Sequence, residues 1–380
     1  MDFALTDEQR QIVEMAEGFA ADRLAPNTAR WDAEAHFPVA EMREAAALGL
    51  AGVFVDPEQG GSGLGRLDGA LIFEALAKGC VATSAFLTIH NMVGWMIDRF
   101  GDAEQRARLL PKLCAMDMIA SYCLTEPGAG SDAAALRTSA RREGDAYVLN
   151  GAKAFISGAG ASDLYAVMVR TGGPGAAGVS CVLVEKGTPG MSFGRPEDKM
   201  GWNCQPTATV TFEDCRIPVE NRLGAEGEGF RFAMKGLDGG RINIAACSLG
   251  GAAWALEAAL AHVRDRQAFG KPLAAQQAVQ FMLAEMATKL EASRLMVWRA
   301  AAALDAGAPD ATMRSAMAKQ FATDACFDVV DAALQLHGGY GYVKATGVEQ
   351  RLRDLRVHRI LEGANEIMRL IVSRKLLETA

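Results

Sequence analysis

YCLTEPGAGSD, Tyr122–Asp132, is where the chain changes character. Tyr122, Cys123, Leu124 and Thr125 read as strand. Pro127 to Ser131 reads as a loop, in which Gly128 and Gly130 let the main chain come close to a ligand. Free N–H groups there, with the hydroxyls of Thr125 and Ser131, can hydrogen-bond a flat polar ring or a phosphate. A plain strand and loop would use the same residues.

Upstream, residues 1–120 read as helices. Thr6-Asp7-Glu8-Gln9 is a capping-box start, and the helix it opens should stop before Pro26. Pro38 marks a helix start and Leu48-Gly49 its end; segments 67–79, 84–100 and 102–116 continue the pattern. Residues 121–230 read as strands: LYAVMVR (164–170), VSCVLVEKG (179–187), and TATVTFE (207–213), whose threonines alternate with Ala208, Val210 and Phe212. Asn150-Gly151, between YVL and AKAFIS, predicts a hairpin turn. Residues 231–380 return to helix, over 238–264, from Pro272 to about Gly307, from Pro309 to Gly338-Gly339, and over 363–378. Leu283, Met286, Leu290 and Val297 step by threes and fours, and Met313, Met317 and Phe321 share one face. The expected fold is α+β: an N-terminal all-α domain, a small central β-barrel or sandwich, and a C-terminal four-helix bundle.

The 380 residues are 50% hydrophobic and 22% charged, the balance of a folded globular chain. With 39 basic and 46 acidic residues, a net charge of −7 argues against a nucleic-acid footprint. The apolar runs fall short of the roughly 20 residues that span a bilayer, so no membrane insertion is expected. The eight cysteines (80, 114, 123, 181, 204, 215, 247 and 326) show no Cys-x-x-Cys spacing and no clustered histidine. Neither a metal site nor a disulfide framework is expected. MDFALTDEQRQ lacks the pattern of a secretory signal. The expected compartment is a reducing one, a bacterial cytoplasm or, after processing, a mitochondrial matrix.

Two further motifs carry chemistry. In LQLHGGYGYVKATGVEQRLRD (Leu334–Asp354), glycines follow Gln335, Leu336 and His337 and would end a helix. The basic run Arg351, Arg353, Arg356 and Arg359 reads as a salt-bridged or solvated face. In ILEGANEIMR (Ile360–Arg369), Glu362 is either a carboxylate at a helix start or a general base whose pKa an apolar pocket would raise.

YCLTEPGAGSD, AFISGA, RQAFGKPL, LQLHGGYGY and ILEGANEIMR, in that order over the whole chain, resemble the acyl-CoA dehydrogenase family. IFEALAKGC (72–80), IHNMVGWMID (89–98), KAFISGAG (153–160), RTGGPG (170–175) and GGRINIAACSLG (239–250) extend the likeness to members acting on isobutyryl-CoA. The resemblance implies FAD-dependent α,β-dehydrogenation of a short branched acyl-CoA. Electrons would pass to electron-transferring flavoprotein, and a homotetramer would be the assembly. 2-Methylbutyryl-CoA and short straight-chain acyl-CoA are the alternative substrates.

The resemblance also implies residue roles. Glu362 would be the catalytic base, its N–H bonding the thioester oxygen together with a flavin ribityl hydroxyl. The flavin would contact Tyr122, Cys123, Leu124, Thr125, Gly130, Ser131, Phe155, Ile156 and Ser157. Arg266, Gln276, Gln277, Gln335, Leu336, His337, Gly338 and Gly339 would reach the diphosphate from a neighbouring subunit, and Ala364, Asn365 and Glu366 the adenine half. Ser131, Asp238, Gly239, Gly240, Arg241, Glu362 and Arg374 would bind substrate. Oxidases of this family tend to be longer and its monooxygenases lack the glutamate, so Glu362 and the length disfavour both. A non-catalytic helical scaffold would not need the glycine loops, Ser157 and Glu362 together.

Overall fold

Gln9 N donates to Thr6 Oγ1 and Thr6 N to Gln9 Oε1, both at 3.1 Å, so the capping box opens the first helix at Asp7 as read. The computed structural model describes residues 3–378. It begins with α1 (Asp7–Phe19), α2 (Thr28–Glu34), α3 (Val39–Ala47), α4 (Arg66–Gly79), α5 (Val81–Phe100) and α6 (Ala103–Cys114). The strands follow: β1 (Ala120–Cys123), β2 (Ser139–Glu143), β3 (Ala146–Ser157), β4 (Leu164–Arg170), β5 (Val179–Glu185), β6 (Met191–Phe193), β7 (Thr207–Pro218) and β8 (Arg222–Leu223). After α7 (Gly229–Asp265) comes a short ribbon, β9 (Gln267–Ala268) and β10 (Lys271–Pro272). The chain closes with α8 (Gln277–Asp305), α9 (Ala311–His337), α10 (Gly339–Tyr342), α11 (Val348–Arg356) and α12 (Asn365–Glu378).

The sheet order is β6-β7-β3-β2-β4-β5-β8, with β1 parallel to β4. One face of these strands gathers Tyr147, Leu149, Tyr165, Val167, Val182, Val210 and Phe212 into a closed interior. The other face of β4 and β5 packs, through Leu164, Ala166, Met168 and Cys181 and with Leu223 of β8, on Phe232 and Ala233 of α7 and Met92, Val93 and Met96 of α5. Burial on both sides explains why LYAVMVR and VSCVLVE are continuous apolar runs, whereas TATVTFE, covered on one side, alternates.

Three sequence expectations fail locally. β3 runs unbroken through Asn150-Gly151, and the turn joining β2 to β3 is at Gly144, φ 64°, beside the Glu143–Ala146 pair. Asn150-Gly151 is instead a bulge against β7. Asn150 exchanges hydrogen bonds of 3.0 and 2.9 Å with Asp214, and a Cβ at Gly151 would come within 2.7 Å of Thr138 Cα. α7 begins at Gly229, nine residues before Asp238, because packing overrides the poor helix propensity of Gly236, Gly239 and Gly240. α8 begins at Gln277 rather than Pro272, which pairs with Gln267 in the β9–β10 ribbon.

α7 is long and apolar enough to cross a membrane by length and composition, against the reading of short apolar runs; 67% of that window is buried inside the protein. α8 and α9 flank it, and Met286, Leu290 and Val297 of α8 face the common core. The Met313–Met317–Phe321 stripe of α9 faces outward instead, with Met317 38% and Phe321 36% exposed. α11 carries Arg351, Arg353 and Arg356 of the basic run. Its Arg353 pairs with Asp32 and Glu349 at 2.6 Å, the salt-bridged face expected. Arg351 is buried, donating to Gly79 O at 3.0 Å, 4.4 Å from the Trp254 ring centre.

Lys153 of β3 is wholly buried. It donates to Glu126 Oε1 at 2.7 Å and to Leu124 O at 3.2 Å, while the N–H groups of Arg137 and Thr138 reach Glu126 at 2.6 and 2.8 Å. Burial raises the Glu126 carboxyl, but Lys153 and these N–H groups outweigh it and hold it below the usual range. The pair pins the loop after β1 onto β3. Lys153→Met strands Glu126 in the interior and should cost about 3–5 kcal/mol in urea or thermal melts. Arg141→Ala, at an exposed pair with Glu143, should cost no more than about 1 kcal/mol.

Candidate active site

Lys319, on α9, has no exposed surface and donates to Gly363 O at 2.8 Å and Asn365 Oδ1 at 2.9 Å. These bonds hold the turn leading into α12, where Glu362 sits at φ 54°. A left-handed residue other than glycine costs roughly 1–2 kcal/mol. Asn365 is fastened further by Nδ2 donating to Thr323 Oγ1 and Asp324 Oδ1, both at 3.0 Å.

The turn aims Glu362 at α7. A Cβ at Gly240 would collide with Glu362 Oε2, so the helix must present glycine here. Oε2 is shut off from solvent and has no hydrogen-bond partner among the described residues. Burial pushes the Glu362 carboxyl up to about 7, against the pull of Arg241 and Lys319. Burial likewise brings the Lys319 ammonium down to about 8, opposed by Glu362. The Tyr122 hydroxyl, also buried without a partner, is raised well above its ordinary value by burial first and by neighbouring groups that include Glu362. Arg241 donates to Asp238 at 2.6 Å, and Thr312 reaches the other Asp238 oxygen at 2.7 Å. Glu362, Gly240, Tyr122, Arg241 and Asp238 therefore form one cluster. Glu362 does not cap a helix: α12 starts at Asn365.

On the β side, a register shift between Lys153 and Ile156 turns Phe155 outward, 67% exposed at φ 57°. Ser157 is half-buried, its carbonyl accepting from Ser121 Oγ at 2.6 Å. Gly130 and Ser131 are exposed, and nothing lies within 4 Å of a Cβ built on Gly128 or Gly130. Cys123 and Ile156 turn their side chains into the sheet interior, so only their main chain can face a ligand. Leu124 is likewise packed, in the cluster between β4 and α5.

A second cluster lies at the far end of α7. Arg266, His262, Gln335, His337, Gly338 and Gly339 line a groove of about 640 Å³. The rings of His262 and His337 stack at 4.4 Å, and Leu336 is part of the lining. Gln276 and Gln277 stand at the adjacent start of α8. The 26 residues from Gly240 to Arg266 span about 39 Å of helix, so one protomer does not bring the two clusters together. Asn365 is consumed by internal bonds, a holding role rather than a free contact. Ala364 is half-buried, and Glu366 and Arg374 are exposed on α12. Sequence reading missed Lys153 and Lys319. Lys319 could have been found from its spacing with Ser315, Ala322 and Cys326, a buried stripe of α9.

Family models match most of the chain: acyl-CoA dehydrogenase N-terminal domain over residues 6–117, middle domain over 121–215, and C-terminal domain over 227–377. The chain is 58% identical over 374 residues to a mitochondrial isobutyryl-CoA dehydrogenase of Bos taurus, covering 98% of this chain and 90% of the relative. It is 58% identical over 375 residues to one of Dictyostelium discoideum, with the same coverage. It superposes on butyryl-CoA dehydrogenase from Megasphaera elsdenii with a TM-score of 0.96 and 37% identity, covering 99% of this chain and 100% of that one. The chain belongs to the acyl-CoA dehydrogenase family, FAD-dependent oxidoreductases acting on acyl-CoA thioesters. The residues present fit that cofactor: an outward aromatic ring on a strained bulge, open glycine main chain and an orphaned tyrosine hydroxyl.

Lys319→Met removes a cation that favours ionised Glu362. Followed by difference infrared spectroscopy, the Glu362 carboxyl should titrate near pH 7 in the parent and about one pH unit higher in the variant. Lys319→Arg, which keeps the charge, should restore the parent midpoint.

Proposed function

We propose that this chain oxidises isobutyryl-CoA to methacrylyl-CoA, a step of valine breakdown, with Glu362 as the base. The observation that carries the base is the orphaned Glu362 Oε2, buried against Gly240 beside Tyr122. A carboxyl titrating near 7 is ionised in a useful fraction at neutral pH and basic enough to take the α-proton of a thioester. The Glu362 N–H is the protein's donor to the thioester oxygen as enolate charge develops. Oε2 itself is closed to solvent, and Arg241 and Lys319 set the charge around the carboxylate. FAD, when bound, supplies the acceptor for the hydride leaving the β-carbon.

Phe155, Ser157, Thr125 and the main chain of residues 122–131 would hold the flavin, with Ser157 as donor to its ring. Asp238 and Arg241 would border the thioester. The separation of the two clusters along α7 supports a second copy of the chain. Arg266, Gln277 and the Gln335–Gly339 turn would then serve the neighbour's diphosphate, and the outward Met317 and Phe321 would lie between copies. A tetramer and electron-transferring flavoprotein as acceptor complete this reading. The 58% identity to isobutyryl-CoA dehydrogenases supports the substrate.

Glu362→Gln should retain FAD and bind substrate, since the amide preserves shape, yet lose about 10²–10⁴-fold in turnover with an artificial acceptor. In the parent, isobutyryl-CoA should give the highest kcat/KM among isobutyryl-, 2-methylbutyryl-, butyryl- and isovaleryl-CoA. 2-Methylbutyryl-CoA should come next, because one methylene is worth about 1–3 kcal/mol. A tenfold preference for butyryl-CoA would overturn the substrate while leaving the base in place.

A further inference from the structure

Gly236, Gly239 and Gly240 stand at i, i+3 and i+4 of α7 and share one face. A Cβ built on each meets a different neighbour. At Gly236 it meets Met96 Sδ at 3.4 Å and Met92 Cγ at 3.5 Å, at Gly239 Arg66 Nη1 at 2.5 Å, and at Gly240 the carboxylate of Glu362. The step from base to guanidinium is thus one residue of helix, and two methionines of α5 floor the next turn.

Arg66 is only 7% exposed. Its Cζ lies 4.1 Å from the centre of the Phe54 ring and 4.7 Å from that of Trp95. Gly69 makes the cage possible, since a Cβ there would run into Phe54. The Arg66 main-chain N–H donates to Asp305 Oδ1 at 2.7 Å. Among the described residues no carboxylate or carbonyl takes a hydrogen bond from its guanidinium. Burial draws its pKa down to about 10, partly offset by Asp305 and reinforced by Arg99, so it remains a cation at neutral pH. A buried cation without an acceptor is the kind of group that an approaching alkyl chain cannot satisfy.

We propose that Arg66, caged by Phe54 and Trp95 against Gly239, is the polar end wall of the acyl pocket and sets the acyl length this enzyme accepts. The inference rests on the reading of the site as a short-chain acyl-CoA dehydrogenase. A three-carbon main chain with one branch ends against Met92, Met96 and the glycine face. A six-carbon chain would have to press methylenes on the guanidinium and strip what hydration it keeps. Discrimination then comes from a penalty against the longer substrate rather than from added contacts to the short one.

The test measures kcat/KM for isobutyryl-, butyryl- and hexanoyl-CoA on the FAD-loaded enzyme and on Arg66→Met and Arg66→Lys, with flavin content and melting temperature recorded for each. Arg66→Met, similar in length and uncharged, should raise the hexanoyl-to-isobutyryl ratio at least tenfold. Arg66→Lys, which keeps a cation, should stay within about threefold of the parent ratio. An unchanged ratio in flavin-replete Arg66→Met, with the parent still favouring isobutyryl-CoA, overturns the wall alone. A parent that favours hexanoyl-CoA overturns the short-chain reading and the wall with it. If Arg66→Met does not fold, the parent decides. Hexanoyl-CoA turned over at least tenfold more slowly than the CoA thioester of equal length ending in a carboxylate would make Arg66 a carboxylate anchor and sink the wall. Rejection of both supports it.

Discussion

A lysine buried without solvent must find acceptors, and Lys319 finds them in the carbonyl of Gly363 and the amide oxygen of Asn365. That requirement fixes the turn before α12 and keeps Glu362 in a backbone conformation it would otherwise leave. The same cation also lowers the carboxyl that burial raises. One residue that touches neither cofactor nor substrate in the proposed reaction therefore holds the carboxylate in place and, together with Arg241, moderates the basicity that burial gives it. Glycine at 240 completes the arrangement by leaving room on α7 for the carboxylate.

α7 gives the rest of the structure its axis. Its first half packs between α5 and the β4–β5 face, and there it presents the glycines that admit Glu362 and Arg66. Its far end carries Arg266 and His262 into a groove with the end of α9. A rigid helix cannot bend one end to the other. On the β side, the Glu126–Lys153 pair does for the glycine loop what Lys319 does for the base turn: a buried charge recruits the main chain around it.

Much of this was legible in the residues. The helix–β–helix order, the alternation in TATVTFE and the paired face of α11 follow from period and charge, and ILEGANE singled out Glu362. What escaped has a common cause. Asn150-Gly151 carries the local chemistry of a turn, but cross-strand bonds to Asp214 and the close approach of Thr138 make it a bulge. The first turns of α7 were masked by glycines whose worth lies in packing. Lys153 and Lys319 look like surface residues until the groups that pair with them are known, and those lie 27 and 44 residues away in sequence. Cys123 and Ile156 sit in the expected segments but turn their side chains inward, because neighbouring residues of a strand face opposite ways, and Asn365 spends its amide on Lys319, Thr323 and Asp324.

The central claim is that one carboxylate, delivered to the space above Gly240, is what the active site requires. Moving it tests this directly. Glu362→Gly should bind FAD and bleach it negligibly with isobutyryl-CoA under anaerobic stopped flow. Adding Gly240→Glu to that variant should restore a measurable part of the parent bleaching rate, because a side chain from 240 enters the volume the Glu362 carboxylate vacates. Bleaching by Glu362→Gly alone at the parent rate, or a flavin-replete double variant no faster than the single one, would contradict the account.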